Sequence, residues 1–217
     1  CEQNEDEAYQ VNALNVLNLT NAINEVNMEI HLVHISTDQV YSGEGPHMEL
    51  DTKPINIYGK SKLLGDEYAE KVSSTILRTN FIGKGLENKQ TLSDWIVTSL
   101  KNNININVFN DVFFNPIYIN TLCEQIYRVI KNKPIGIYNL GSCGCISKSE
   151  FARAICKIMN LNNNLLVDIN IKNLNLPANR PNDMNMNNVK YSEKMKVILP
   201  NISDEILKLT KLYIKYE

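Results

Sequence analysis

No apolar run in this chain approaches the roughly 18 to 20 residues of a membrane span, and no charged-then-apolar leader opens it. Neither insertion nor export is predicted, and the expected location is cytoplasmic. Charge of one sign is also missing: 22 Lys+Arg stand against 24 Asp+Glu, a formal charge of -2. Nothing in that balance recommends a nucleic-acid backbone or an anionic membrane as partner, so a small molecule is expected. Cysteine is scarce. Cys1, Cys123, Cys143, Cys145 and Cys156 are odd in number and lack the spacing of a disulfide ladder, so they read as free thiols. Cys143-Gly144-Cys145 has no second Cys/His pair at a useful distance, and no metal site is predicted. What is present is core-forming material: 217 residues, 43% hydrophobic and 21% charged, enough for one large or one and a half ordinary domains. A disordered tail or a fibre is excluded.

Helical and extended patterns alternate along the chain. Residues Glu5 to Asn24 carry Ala8, Val11, Leu14, Leu17 and Ile23 near helical spacing, behind Asn4 and Asp6 as candidate caps. Ile30 to Ser36 is apolar and partly β-branched, as a buried strand is. A long loop, Asp38 to Pro54, leaves its carboxyl end. Then follow a helix Asn56 to Lys71, a strand Thr75 to Leu77, a helix Leu92 to Lys101, a strand Ile104 to Phe109, a helix Thr121 to Lys131, a strand Gly136 to Leu140 and a helix Lys148 to Met159. Leu165 to Ile171 reads as a strand, Asn173 to Asn188 as a polar segment, and Ser203 to Tyr216 as a terminal helix. Such alternation predicts an α/β fold with a mostly parallel sheet. Ligands of such sheets sit beyond the carboxyl ends of the strands, where Ser36-Thr37-Asp38 and the stretch from Arg78 to Gly85 fall.

Chemistry gathers at Tyr58-Gly59-Lys60-Ser61-Lys62. On a helix Tyr58 and Lys62 share a face, and a nearby ammonium favours the phenolate, which would draw the phenol toward proton exchange with a carbonyl oxygen. Upstream, Ser36-Thr37-Asp38 ends a predicted strand, where a hydroxyl can point into the crevice and bind that same oxygen. His31 and His34 alternate with apolar residues and read as packed or surface histidines, and Trp95 as core.

A strand-end hydroxyl, a Pro-containing loop, a Tyr-x-x-x-Lys helix and a strand ending in Leu77-Arg78-Thr79-Asn80 together resemble the extended short-chain dehydrogenase/reductase superfamily. The closest resemblance is to its dTDP-4-dehydrorhamnose reductase-like branch, carried by residues 34–41 (HISTDQVY), 54–67 (PINIYGKSKLLGDE), 76–81 (ILRTNF) and 136–141 (GIYNLG) in the family's order. The opening residues 1–4 with 8–12 (AYQVN) also look like the segment after the fourth Rossmann strand.

The resemblance implies an NADPH- or NADH-dependent reductase of a nucleotide-linked 4-keto sugar. Tyr58 would be the proton donor, and Lys62 would tune it and bind the nicotinamide ribose. Thr37 would hold the substrate oxygen, with Asp38 beside it. Asn80 would meet the nicotinamide, Phe81 the substrate, and Arg180 the nucleotide diphosphate. Two departures stand out. Gln39 follows Ser-Thr-Asp where the family often has an aromatic. No G-x-x-G-x-x-G turn occurs among the nine glycines, so the chain reads as a fragment lacking the N-terminal half of an NAD(P)-binding Rossmann-like sheet. On that reading residues 1–140 form the rest of the Rossmann-like part, with interleaved substrate segments, and 141–217 a small, mostly substrate-binding α/β part. The resemblance leaves open an epimerase or dehydratase of the same superfamily, a non-catalytic regulatory subunit, and a homodimer.

Overall fold

The computed structural model describes residues 1–26, 28–86 and 89–214. Helix α1 (Glu5–Tyr9) starts where the Asn4 side chain accepts from the Glu7 N–H, with three acidic residues at its positive end. A π turn, Gln10–Leu14, joins it to α2 (Asn15–Glu25). Next come β1 (Leu32–Thr37), α3 (Ile57–Ala69), β2 (Ser74–Thr79), β3 (Phe81–Ile82), α4 (Leu92–Lys101), β4 (Ile106–Phe109), β5 (Phe113–Phe114) and β6 (Ile117–Tyr118). The chain continues through α5 (Ile119–Asn132), β7 (Gly136–Leu140), β8 (Ile146–Ser147), α6 (Lys148–Met159), β9 (Leu166–Ile169), α7 (Val189–Met195) and α8 (Ile202–Ile214). The terminal helix expected to Tyr216 is described to Ile214; its last expected residues lie outside the described ones.

Strands β1, β2 and β7 form a parallel sheet in that order. Thr37 pairs with Thr79 and Thr79 with Leu140, so the three carboxyl ends finish level. All six residues of central β2 are buried, as expected of a parallel strand covered on both faces. On one face Leu77, Tyr138 and Leu140 pack with Leu122 and Val129 of α5 and Tyr191 of α7. On the other lies α3. The π turn falls inside what periodicity predicts as one helix, and it meets α3 closely. A Cβ on Gly65 would sit 2.2 Å from the Asn12 carbonyl oxygen, and the Asn12 amide donates to the Ser61 hydroxyl at 3.0 Å.

The same face carries a buried polar knot. Arg78, 2% exposed, donates through Nε to Asp66 at 2.9 Å, and through one terminal nitrogen to the Tyr41 hydroxyl at 3.0 Å and the Glu49 carbonyl at 2.5 Å. Tyr41 in turn donates to Asn139 at 2.6 Å, and the Glu49 carboxylate accepts the Asn139 N–H at 3.0 Å. The loop leaving β1 is thereby strapped to β2 and β7.

A second core joins Ile96 and Leu100 of α4, Val108 of β4, Phe114 of β5, Phe151 and Ile155 of α6, and Leu209 of α8. Around it β4 pairs in parallel with β9, β3 in parallel with β6, and β5 antiparallel with β8. The two-residue strands and α7 are absent from the sequence reading, being too short for a period to register. No helix among the described residues is long and apolar enough to cross a membrane, and the five cysteines are free thiols.

Candidate active site

Strand β1 ends in Thr37, whose hydroxyl accepts the Gln39 N–H at 3.2 Å and turns the chain through one 3₁₀ turn, Asp38–Val40. Helix α3 starts against that turn. The Asn56 side chain accepts the Gly59 N–H at 2.7 Å, and its amide donates to the Asn179 carbonyl at 2.9 Å. Capping at Asn56 sets Tyr58 in the first helical turn, facing the strand end. There the Thr37 hydroxyl lies near enough to the phenol to favour its ionised form. Tyr58 keeps 37% of its surface exposed and opens on a cavity of about 500 Å³ that Gln39, Asn56 and Arg180 also line.

Lys62 lies one turn further along the same helix, with its Nζ donating to the Ile35 carbonyl at 2.8 Å. Burial lowers its pKa while the Asp66 carboxylate opposes the shift. The expected pull of Lys62 on the phenol is not what sets Tyr58. Burial pushes the Tyr58 pKa up, the negative Asp38 adds to that, and only the Thr37 hydrogen bond works the other way. The ammonium is aimed at the strand backbone instead.

Asp38 and Asn80 are brought together by the level strand ends, the Asn80 amide donating to Asp38 at 2.5 Å and the Thr37 hydroxyl at 3.2 Å. Asp38 is expected at the substrate; instead it is 2% exposed and lines neither of the two larger cavities beside the site. Its carboxyl is raised by burial against the hydrogen bonds of Asn80 and Thr37 and the charge of Lys148. It stands behind Thr37 as a support. Phe81, also expected at the substrate, lines a small separate cavity with Ile82, Thr91 and Ile119, on the short strand that pairs with β6.

A larger cavity of about 680 Å³ opens on the other side of Gln39 and Arg180, which line both spaces. Its wall includes Asn80, Trp95, Lys148 and Met184. Trp95, half-buried, packs on the second core and also faces this cavity. Lys148 was missed as a functional residue by sequence reasoning, which placed it only as a helix start. The available signal was its position directly after the Ser147 N-cap, inside the Ser147/Glu150 capping box, where a cation opposes the helix dipole.

Residues 1–213 match the family described as RmlD substrate binding domain. The spore coat polysaccharide biosynthesis protein SpsK of Bacillus subtilis is 34% identical over 164 residues, covering 71% of this chain and 55% of that protein. The dTDP-4-dehydrorhamnose reductase of Shigella flexneri is 29% identical over 187 residues, 78% of this chain and 61% of that one. The chain thus spans less than two thirds of either protein. Among solved structures, the dTDP-4-dehydrorhamnose reductase of Bacillus anthracis in complex with NADP superposes with a TM-score of 0.87 at 25% identity, covering 99% of this chain and 75% of that one.

Proposed function

Because the chain belongs to the RmlD substrate binding domain family, we propose that it forms the sugar-binding and proton-donating part of an NADPH- or NADH-dependent reductase acting on a nucleotide-linked 4-keto sugar. The observation that carries this reading is the Tyr58 phenol at the mouth of a cavity, on the helix turn that faces the Thr37 strand end closely enough for Thr37 to act on it. A carbonyl oxygen placed there would accept the proton from Tyr58 as its carbon is reduced, and a hydrogen bond from Thr37 once that hydroxyl turns from Asp38. The raised phenol pKa keeps that proton in place at neutral pH.

The residues fit the nicotinamide-ribose end of such a cofactor. One of the three Lys62 N–H donors goes to Ile35, leaving two for ribose hydroxyls beside Tyr58. When bound, the nicotinamide supplies the hydride. In this reading the β1–β2–β7 sheet belongs to a Rossmann-like part within residues 1–140, and residues 141–217 mostly serve the substrate. A dehydratase would need an acid that reaches the sugar, and Asp38, buried behind Thr37, supports the reductase instead. The assembled Thr37, Tyr58 and Lys62 support catalysis over a purely regulatory role.

The test is net NAD(P)H consumption on a dTDP-linked 4-keto-6-deoxy sugar. Tyr58→Phe should lower kcat by about 100-fold or more with KM changed little. Product formed without net cofactor consumption would point to an epimerase or dehydratase, and unchanged turnover in the variant would remove Tyr58 from the reaction.

A further inference from the structure

Helix α3 begins without an acid of its own. Helices α1, α4, α6 and α8 each carry Asp or Glu in the first turn, where the helix dipole favours negative charge, and α3 carries none. The carboxylate comes instead from Glu2, 55 residues upstream, whose Oε1 accepts the Ile57 N–H at 2.6 Å. Ile57 directly precedes Tyr58, and Glu2 lines the same 500 Å³ cavity as the phenol. Among the described residues that line that cavity, Glu2 is the one acid. Its neighbours on the wall are engaged. The Asn56 amide donates to the Asn179 carbonyl at 2.9 Å and to Gln39 Oε1 at 3.5 Å, and Gln39 Nε2 donates to the Met184 sulfur at 2.6 Å. The bond to Ile57 takes one of about four acceptor positions on the Glu2 carboxylate, and Glu2 has no other partner among the described residues. A carboxylate with spare acceptor positions therefore stands beside the phenol.

We propose that Glu2 is a specificity-determining residue of the sugar site: its carboxylate accepts a ring hydroxyl of the sugar held at Tyr58 and disfavours sugars that carry a carboxylate. The inference rests on the proposed substrate class. Glu2 lies in the opening segment, to which the resemblance gives no role. A hydroxyl that leaves water needs an acceptor, and an acceptor-only group supplies one without competing as a donor. A site built around such a bond penalises a ring that cannot make it. A uronate, by contrast, brings like charge toward Glu2, which costs affinity. Arg180, which borders the same cavity, pulls the other way on an anion. The charge of Glu2 is therefore read from the change in preference when that charge alone is removed.

Calorimetric titration of the chain with thymidine diphosphate, dTDP-glucose and dTDP-glucuronate tests this without cofactor. Glu2→Gln keeps an oxygen for the Ile57 N–H and removes the charge. The preference for dTDP-glucose over dTDP-glucuronate should fall about fivefold in that variant. Glu2→Ala should bind dTDP-glucose about tenfold more weakly, the loss of one hydrogen bond to a charged group. Thymidine diphosphate should change by less than about twofold in either variant, since it lacks the sugar. A role confined to holding the start of α3 would move all three ligands together. An unchanged preference in Glu2→Gln, or thymidine diphosphate weakened as much as dTDP-glucose in Glu2→Ala, would overturn the inference and leave the substrate reading intact. No binding of any of the three at millimolar concentration would overturn both.

Discussion

Gly59 rests directly on Gln39: a Cβ at Gly59 would lie 2.4 Å from the Gln39 carbonyl oxygen and 3.0 Å from the Pro54 Cβ. The helix that carries Tyr58 can approach the turn that carries Thr37 only because that methyl group is missing. The obstacle to a side chain is backbone, which cannot rotate away, so α3 itself has to move.

Gly59→Ala is therefore expected to destabilise the protein by about 1–3 kcal/mol through overpacking, despite alanine's better helix propensity. It should also separate Tyr58 from Thr37. Urea denaturation checks the first effect. A variant as stable as the parent would mean that the turn yields without cost.

Tyr58 should titrate above the ordinary phenol value of 10.0, because burial and the Asp38 charge both favour the neutral form. Difference absorbance titration of the parent against Tyr58→Phe is expected to show one tyrosinate component appearing only above about pH 10. Asp38→Asn removes the nearby negative charge and should move that component down. A Tyr58 component below pH 9 in the chain without ligand would contradict the electrostatics described for the site.

Asp66 is 1% exposed and paired with Arg78. Burial alone would raise its carboxyl, yet hydrogen bonding from His34 and the Arg78 charge hold it below the usual carboxylate range. Its folded pKa being depressed, the pair stabilises the fold above the unfolded value near 4, and that contribution fades as pH falls through the folded pKa. Asp66→Ala leaves a buried guanidinium short of its partner and should cost about 3–5 kcal/mol at pH 7. The gap between parent and variant, followed by denaturation from pH 7 to pH 3, should narrow on the acid side. A gap that widens there would reverse the assigned sign.

Much of the framework is written locally. Helices α4 and α6 begin and end where the sequence predicts, because Thr91 with Asp94 and Ser147 with Glu150 form capping boxes readable at three-residue spacing. Strand β7 begins at Gly136, whose φ of +123° suits glycine. Tyr58 and Lys62 share a face because four residues is one helical turn. What escaped depends on partners distant in sequence. The burial of Asp38 is set by Asn80, 42 residues on, and the Arg78 knot needs Glu49 and Asn139 brought beside it by strand pairing. The direction of the Tyr58 shift follows from burial, with Lys62 turned to the Ile35 carbonyl, and the lowered amine of Lys148 from burial first and then Arg180 across a cavity. Spacing along the chain carries none of these.

Gln39 and Arg180 border both cavities. A ligand long enough to bridge them must thread between an amide and a guanidinium, so neither residue can be exchanged for the sake of one end alone. Selection for a different sugar at Tyr58 would disturb the grip on whatever occupies the larger space, and the two preferences are bound to drift together.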